Sequence, residues 1–552
     1  MSRNSLRQTI YVASRFRLPG VTPFDVREDQ QIYRQTTPVS VQLEATYLPK
    51  DLRTRLHFFS QYRAAQNAFE VSLIRTQATQ IEVIPQRLTD RPNTWLNTVE
   101  ATRKVSENTV IEAEIQYIRL ERPQTLQADW HYFPFERRDS VFTRLSQSVD
   151  SRQQQAKASV SCITVGRSGE WNAAIGFVWQ EQRLYMRAAF QNLENLHQTA
   201  PSDYINRLKF QRPYFFVTGK WHRGFGNWLT TVSAELRQIA AHQIIANNPA
   251  PFLLFFPKIG LVRTLTTWIK IKLVYAYTPI MPNAEWLHNA FIWTDYRSAQ
   301  RGLDDQSPVA KHFARASYTY RNTDKLFFAN AALTISNMSN DFGSAFLVDS
   351  LFNFGTAFRP ADAYRCAADI NTDKFISPAS SRVNIALQYS SFERINRLNS
   401  SQERNVFFQT RSIRVGYGSA FDGWINCFVN STLTHQTAKV RSMGQSQPNT
   451  RATGWRTTCR IVIQPVKKWR MEVAAHQMSN HAGEVRSSRI VVCDASLRLF
   501  TAKNAQRQLE FSAHNFLNNA VFEQVNTTDF LDIRDGIYLV PRFFILKYDW
   551  AI

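Results

Sequence analysis

The chain has 552 residues, of which 44% are hydrophobic, 13% aromatic and 20% charged. Its 66 Lys and Arg residues, against 44 Asp and Glu residues, give a formal net charge of +22. No stretch reaches the roughly 18–20 apolar residues of a transmembrane helix, which argues against a helical membrane protein. The charge favours anionic partners, but the basic residues are scattered singly and form no nucleic-acid-binding motif, so we expect no nucleic-acid partner.

The amino-terminal residues 1–38 are basic and lack the roughly 7–15-residue apolar core of a secretory signal peptide. We expect this segment to be either a first strand or the remnant of a larger protein. Residues 39–552 are predicted to form one domain, because the same pattern continues to the end of the chain.

That pattern is a regular alternation of apolar and polar residues. Ile111 and Ile115 alternate with Glu112 and Glu114, and the runs at 269–277, 383–389, 455–463 and 491–499 behave in the same way. A period of two is the signal of a strand with two different faces. Sheets buried on both faces would not carry charges in mid-strand, so one face is expected to meet water.

The connections between these runs differ in length. Residues 166–170, 223–227 and 322–325 are short polar turns, whereas 279–308, 336–378, 436–452 and 519–536 are longer polar connections. Short turns at one rim and long loops at the other are typical of bacterial outer-membrane barrels. The sequence therefore predicts an all-β fold, a large antiparallel transmembrane β-barrel of roughly 18–22 strands, whose aromatic residues mark the membrane interfaces.

The residues that could carry chemistry do not cluster. The five cysteines are widely spaced and form no CxxC pair, and the eleven histidines lack metal-ligand spacing. No catalytic or phosphate-binding motif is present, so we expect no enzyme, no cofactor and no metal site. Free thiols are unusual in an oxidising compartment, which counts mildly against export.

The last strand has one face that is entirely large and apolar. This face is the predicted membrane assembly strand, formed by Phe544, Leu546, Tyr548, Trp550 and Ile552. The opposite face carries Lys547 and Asp549. A strand that is apolar outward and polar inward, and that ends the chain, suits a sheet closed in lipid.

The segment before it resembles a known family. Residues 508–519, QLEFSAHNFLNN, resemble the penultimate strand of TonB-dependent receptor barrels of the Bacteroidota type, where a strand of the form LxFxAxNLLN leads into an extracellular loop. Residues 520–535 would be that loop, and residues 538–552 are similar to the aromatic final strand. The family's signal peptide, TonB box and plug are not visible, so the resemblance is to the barrel portion.

The resemblance implies a bacterial outer-membrane location and uptake of a bulky nutrient ligand of unknown identity. The implied partners are membrane lipid, the outer-membrane barrel assembly machinery and, where a plug exists, TonB and a surface lipoprotein. Two alternatives stay open: a plugless porin or structural barrel with a basic lumen, and a soluble, basic all-β binding protein.

In either barrel, the inward residues are predicted to form a basic lumen wall. Rings of Lys and Arg favour anionic solutes, so an unplugged lumen would conduct anions better than cations. The candidates for this wall are Lys270, Lys272, Arg382, Arg456, Arg460, Arg470 and Arg498.

Overall fold

The fold is known from a computed structural model. It describes residues 4–550 apart from 19–22, 50–52, 78–79, 130–141, 193–196, 200–201, 241, 244–250, 283, 349–351, 400–401, 420, 422, 443–444, 447–448, 467, 483–484 and 501–506. Almost all of the described residues lie in one sheet of 31 strand segments.

In the described ranges, twenty-two strands form the wall, because five short segments lie off it and four pairs of segments run on from one another as single strands. The strands are β1 (Asn4–Phe16), β2 (Phe24–Tyr47), β3 (Thr54–Gln77), β4 (Gln80–Asp90 and Asn93–Ser106), β5 (Thr109–Asp129), β6 (Phe142–Gly166), β7 (Gly169–Asn192), β8 (Ile205–Gln211 and Tyr214–Phe225), β9 (Trp228–Ala240), β10 (Pro251–Thr264), β11 (Ile269–Ile280), β12 (Val309–Asn322), β13 (Phe327–Val348), β14 (Asn353–Ile376), β15 (Ser381–Leu398), β16 (Arg404–Ser419), β17 (Ile425–Ser442), β18 (Thr450–Val466), β19 (Trp469–Ala482), β20 (Val485–Phe500), β21 (Arg507–His514 and Val521–Thr527) and β22 (Leu531–Tyr538 and Phe543–Trp550).

The remaining elements are short. They are the strands His197–Thr199, His242–Gln243, Ile292–Trp293, Ser298–Arg301 and Gln445–Ser446, the single-turn helix α1 (Ala284–Leu287), and 3₁₀ turns at Ser202–Tyr204 and Ser377–Ala379. None of the helices in the described ranges is long and apolar enough to cross a membrane.

Each wall strand pairs antiparallel with the next one along the chain. The ring closes where the segment Leu531–Tyr538 of β22 pairs with β1, from Ile10 opposite Ile537 to Phe16 opposite Leu531. The prediction of a large antiparallel β-barrel is confirmed, and the strand number is at the upper end of the predicted range.

Tight turns join the strands at one rim. Gly169, after the turn between β6 and β7, has φ +114°, and a Cβ there would lie 2.5 Å from the carbonyl oxygen of His222. Only glycine fits that close approach and that backbone conformation. Gly226, between β8 and β9, likewise has a positive φ of 58°. We call this end of the barrel the short-turn rim, and the other end the loop rim.

The long connections differ from the prediction in three places. Residues 336–348 and 353–376 belong to β13 and β14, residues 436–442 extend β17, and residues 521–538 form a hairpin that continues β21 and β22. These regions were predicted as longer polar connections, yet the backbone ladders continue through them.

The amino-terminal part of the chain contributes to the wall. β1 and the first half of β2 lie within residues 1–38, and the predicted boundary at residue 38 falls inside β2. In the described residues, the segment Phe543–Trp550 pairs with β21 alone, and residues 37–47 of β2 pair with β3 alone. Most side chains along these two edges are exposed on both faces. In the described residues, strand pairing therefore closes the ring only in the half of the wall nearest the loop rim.

Candidate functional site

The outer surface of the barrel is an apolar band. Nearly every wall strand exposes a large apolar side chain near its middle, and the exposed fractions include 63% at Ile115, 61% at Ile175 and 70% at Leu546. Further members of the band are Leu43, Val99, Val160, Val217, Val232, Ile259, Leu273, Leu333, Ile370, Leu387, Ile413, Leu433, Ile461 and Phe511. A band this continuous would be costly to leave in water and is the surface expected against hydrocarbon.

Aromatic residues mark the edges of the band. Trp171, Trp228, Trp424 and Trp469 are exposed at the short-turn rim, and Trp455 is exposed about 11 residues from the end of β18. At ~3.3 Å per residue and a tilt of about 45°, that spacing corresponds to roughly 25 Å, the height of the apolar band of an outer-membrane barrel.

The predicted assembly strand is part of this band. Phe544, Leu546 and Tyr548 are all more than half exposed on the outer face of β22. Ile552 and the side chain of Trp550 lie outside the described residues. Phe511 of β21 stacks on Phe544 with ring centroids 5.9 Å apart, so the resemblance segment and the final strand are neighbours in the sheet.

The predicted lumen residues all share the parity opposite to the apolar residues with which they alternate on their own strands. The structure also separates all but Arg456 into two groups. In the first group, carboxylates of adjacent strands hold the cations: Arg382 pairs with Asp373, Arg460 with Glu472 at 3.7 Å, and Arg498 with Glu510 at 3.2 Å.

Arg470 belongs to that first group, because it shares Glu472 with Arg460 at 3.5 Å. Arg456 contacts the sulfur of Met478 at 3.5 Å. Lys270 and Lys272 on β11 form the second group, for which the described residues supply no ion pair. Whether these side chains line a conducting path stays a prediction.

Residues 281–308, the connection between β11 and β12, fold inward at the loop rim, and we call them the mouth segment. The side-chain amide of Gln147 on β6 donates to the carbonyl of Trp293 and accepts from its backbone N–H, both at 2.9 Å. The Oε1 atom of Gln86 on β4 accepts from the N–H of Tyr296 at 3.2 Å. The mouth segment therefore runs along the inner face of the wall from β8 towards β2.

Apolar contacts fix the mouth segment to that inner face. Leu287 and Ala290 are buried among Met186, Leu208 and Phe210 of β7 and β8. Farther along, Trp293 and Ala299 are buried against inward residues of β5, β6 and β7, and Tyr296 against those of β3, β4 and β5. These inward apolar residues lie near the loop rim, and the mouth segment buries them. The mouth segment is therefore packed into the fold.

The loop-rim ends of β13 and β14 also cover the mouth. The ladder between these strands shifts register between Met338 and Gly343, and a Cβ at Gly343 would lie 2.4 Å from the Phe358 ring. Beyond this irregularity, Ser298–Arg301 of the mouth segment pairs parallel with the start of β14, from residue 353. The two elements together form a cover at the loop rim.

A buried polar cluster joins the cover to the wall. The hydroxyl of Tyr296 donates to Oε1 of Glu28 on β2 at 2.5 Å, and the guanidinium of Arg297 lies 3.4 Å from the same oxygen. Burial raises the pKa of the Tyr296 phenol, and the Glu28 carboxylate raises it further. Burial raises the pKa of the neighbouring Asp295 carboxyl, although the N–H groups of Arg297 and Ser298 donate to it at 2.9 Å.

A second buried ion pair lies near the same rim. Arg404 at the start of β16 and Asp529 in the β21–β22 turn are 2.7 Å apart, and both side chains are 1% exposed. Asn396 of β15 bridges them, accepting from Arg404 at 3.0 Å and donating to Asp529 at 3.1 Å. This triad ties the closing hairpin to β15 and β16.

The cysteines are all free thiols. By strand parity, Cys162, Cys366, Cys427, Cys459 and Cys493 all share the outward face. Among the described residues, no group of three or more His, Cys, Asp and Glu side chains is placed to hold a metal ion.

Comparison with known proteins gives similar folds at low identity. No family model matches the chain, and no curated protein does. The ferripyoverdine receptor of the outer membrane of Pseudomonas aeruginosa aligns with a TM-score of 0.46 and 7% identity, covering 99% of this chain and 72% of that one. The copper transporter OprC aligns with a TM-score of 0.46 and 9% identity, covering 97% and 80%.

A third such structure is the ferric-catecholate import receptor Fiu from K12 E. coli, with a TM-score of 0.43 and 10% identity, covering 97% of this chain and 82% of that one. Similarity at this level assigns neither a family nor a ligand to this chain.

Proposed function

We propose that this chain forms an outer-membrane β-barrel that takes up a bulky, polar nutrient through its lumen, in the manner of the barrel of a TonB-dependent receptor. The observation that carries the proposal is the pairing of a continuous apolar exterior with a polar, charged interior in a ring of 22 strands. Barrels of that strand number are known as transporters whose lumen is closed by other parts of the protein.

The covered mouth supports uptake of a selected solute over free diffusion. The mouth segment is held by buried apolar contacts and by the Glu28 cluster, so the lumen does not open freely at the loop rim. Energy coupling through TonB, contact with a surface lipoprotein and insertion by the barrel assembly machinery are parts of the proposal that follow from the family resemblance.

A porin-like passage is the second candidate. The lysines of β11, for which the described part of the chain supplies no ion pair, favour it because they leave the lumen wall attractive to small anions. The two candidates differ in what crosses the bilayer unaided. A porin passes small ions at once, whereas a covered receptor barrel passes little until the cover moves.

The test begins with the full chain folded in detergent and run on a gel with and without boiling. Folded barrels migrate differently from the boiled chain, because they resist unfolding until heated. Proteoliposome swelling in solutions of graded sugars then measures permeation. We expect heat-modifiable migration and slow permeation even of small sugars. A chain that is soluble without detergent and unaffected by boiling would contradict the proposal, and rapid permeation would favour the porin.

A further inference from the structure

The inner wall of β10, β11 and β12 carries a patch of basic side chains, which we call the β11 patch. It consists of Lys258 on β10, Lys270 and Lys272 on β11, and Arg315 on β12. All four are exposed, and all have the inward parity, since Ile259, Leu273 and Tyr318 on the same strands face outward. They are therefore open to water in the lumen.

The strand register places Lys272 and Arg315 closest together, with Lys270 and Lys258 at the two ends of the patch. Lys272 lies opposite Ser317, and Arg315 lies opposite Val274, so Lys272 and Arg315 are diagonal neighbours with Cα atoms roughly 7–8 Å apart. Lys270 is the next inward residue of β11, and Lys258 lies opposite Ala276 on the other side. The long side chains of Lys272 and Arg315 can reach one solute, and Lys270 and Lys258 each lie two residues beyond them along the wall.

Small residues occupy the space between the cations. The inward positions at the centre of the patch are Gly260, Val274 and Ala276. A Cβ at Gly260 would meet its neighbours at 3.8 Å or more, which is ordinary contact, so neither a clash nor a positive φ requires glycine there. The patch is thus a shallow recess rimmed by charge, with the hydroxyl-bearing residues Thr264 and Thr319 flanking Lys270.

In the described residues, the β11 patch also differs from Arg382, Arg460 and Arg498 in lacking counter-charges. Inward residues opposite or diagonal to Lys270, Lys272 and Arg315 on adjacent strands are uncharged or basic throughout the described register. Glu235, diagonal to Lys258 on β9, is already paired with Arg237. By contrast, carboxylates of the wall hold Arg382, Arg460 and Arg498.

Like charges at this spacing repel one another, and an anion that bridges them removes the repulsion. Ammonium and guanidinium groups beside hydroxyls are the donors that recognise phosphate and carboxylate oxygens. We propose that the β11 patch binds a multivalent anion, a solute bearing two or more phosphate or carboxylate groups. This inference rests on the proposed function, because it assumes a water-filled lumen, and it names the chemical class of the solute.

The test uses the full chain folded in detergent, with pyrophosphate and citrate as separate probes in isothermal titration at low and moderate salt. The two probes distinguish phosphate from carboxylate recognition. The test variant is Lys270→Gln with Lys272→Gln. The matched control is Arg460→Gln with Arg498→Gln, which also removes two positive charges, but from a distant part of the lumen wall.

We expect at least one probe to bind the parent chain, with affinity falling as salt rises. The test variant should weaken binding about tenfold or more, and the control should change it by less than about threefold. Equal losses of affinity in both variants would show that charge spread over the whole lumen wall binds the probe, and would overturn the site. A heat-modifiable barrel that binds neither probe would also overturn it while leaving the proposed function standing. A chain that forms no barrel would overturn both.

Discussion

At the residue scale, the sequence predicts which face of a strand each side chain occupies but not what it contacts. Lys272 and Arg498 were both predicted to line the lumen, and their alternation with apolar residues is the same. Arg498 is neutralised by Glu510 on the next strand, whereas Lys272 has no such partner in the described residues. That difference depends on the register across a turn, which the sequence leaves uncertain by two to four residues.

The Arg404–Asp529 pair leads to a prediction about stability. Asp529→Asn should destabilise the barrel by about 3–5 kcal/mol, because it removes the buried carboxylate that pairs with the buried Arg404 guanidinium. Urea unfolding of the detergent-folded protein measures the change. The control is Glu403→Gln, which breaks an ion pair with Arg397 whose two side chains are 42% and 49% exposed.

Exposed pairs of that kind contribute about 1 kcal/mol or less. Similar destabilisation by Asp529→Asn and Glu403→Gln would show that the buried triad does not hold the closing hairpin.

A second residue-scale prediction concerns the Glu28 cluster. Glu28→Gln keeps a hydrogen-bond acceptor for Tyr296 but removes the charge beside the buried Arg297 guanidinium. We expect the mouth segment to detach more often, at a cost of about 1–3 kcal/mol, and trypsin to cut after Arg297 or Arg301 roughly tenfold faster or more.

The control for this variant is Glu70→Gln, which breaks the exposed pair with Arg87 on the outer wall. Its rate of cleavage within the mouth segment should match that of the parent chain. An unchanged rate in Glu28→Gln would mean that the apolar contacts alone hold the segment.

At the element scale, strands were predictable where their two faces differ. In β11, apolar residues alternate with Lys270 and Lys272, and the predicted strand agrees with the observed one. In β13, residues 336–343 read SNMSNDFG, with no apolar face, and the sequence indicated a loop. The backbone hydrogen bonds of β14 hold this stretch in the sheet, and such bonds leave no periodic trace in the side chains.

The mouth segment could not be predicted for a different reason. Its partners are distant in sequence, since Gln147 lies 146 residues from Trp293 and Glu28 lies 268 residues from Tyr296. The one available signal was a set of inward apolar residues near the loop rim, such as Met186 and Phe210, where a water-filled lumen would be expected to carry polar side chains.

Removal of the mouth segment is the element-scale prediction. Replacing residues 284–306 by a short Gly-Ser linker should raise single-channel conductance in planar bilayers severalfold, because the cover no longer narrows the loop rim. Inserting the same linker into the turn at residues 323–325, at the short-turn rim, serves as the control. Equal conductance in the two variants would show that the segment does not limit passage.

At the scale of the whole molecule, the two faces of the wall differ in the solvent that they suit, hydrocarbon outside and water inside. Alternate residues of each wall strand face opposite sides, so the exposed apolar band lies outside and the charged residues lie inside. The same alternation places all five cysteines on the outside. Free thiols counted against export when judged from composition alone. Their outward position offers a physical account of free thiols in an exported barrel, because a thiol inside hydrocarbon is shielded from polar oxidants.

The most direct measurement labels neighbouring positions on opposite faces of β14 in lipid vesicles, with the remaining cysteines replaced by serine. Cys366 has the outward parity, and Ala367→Cys, made with Cys366→Ser, places a thiol one residue along on the inward face. A charged maleimide should label Cys366 at least about tenfold more slowly than the Ala367→Cys variant, because hydrocarbon excludes the reagent and disfavours the thiolate. In denaturant the two rates should converge. Equal rates in lipid, or faster labelling of Cys366, would contradict a barrel that faces lipid on its outer surface.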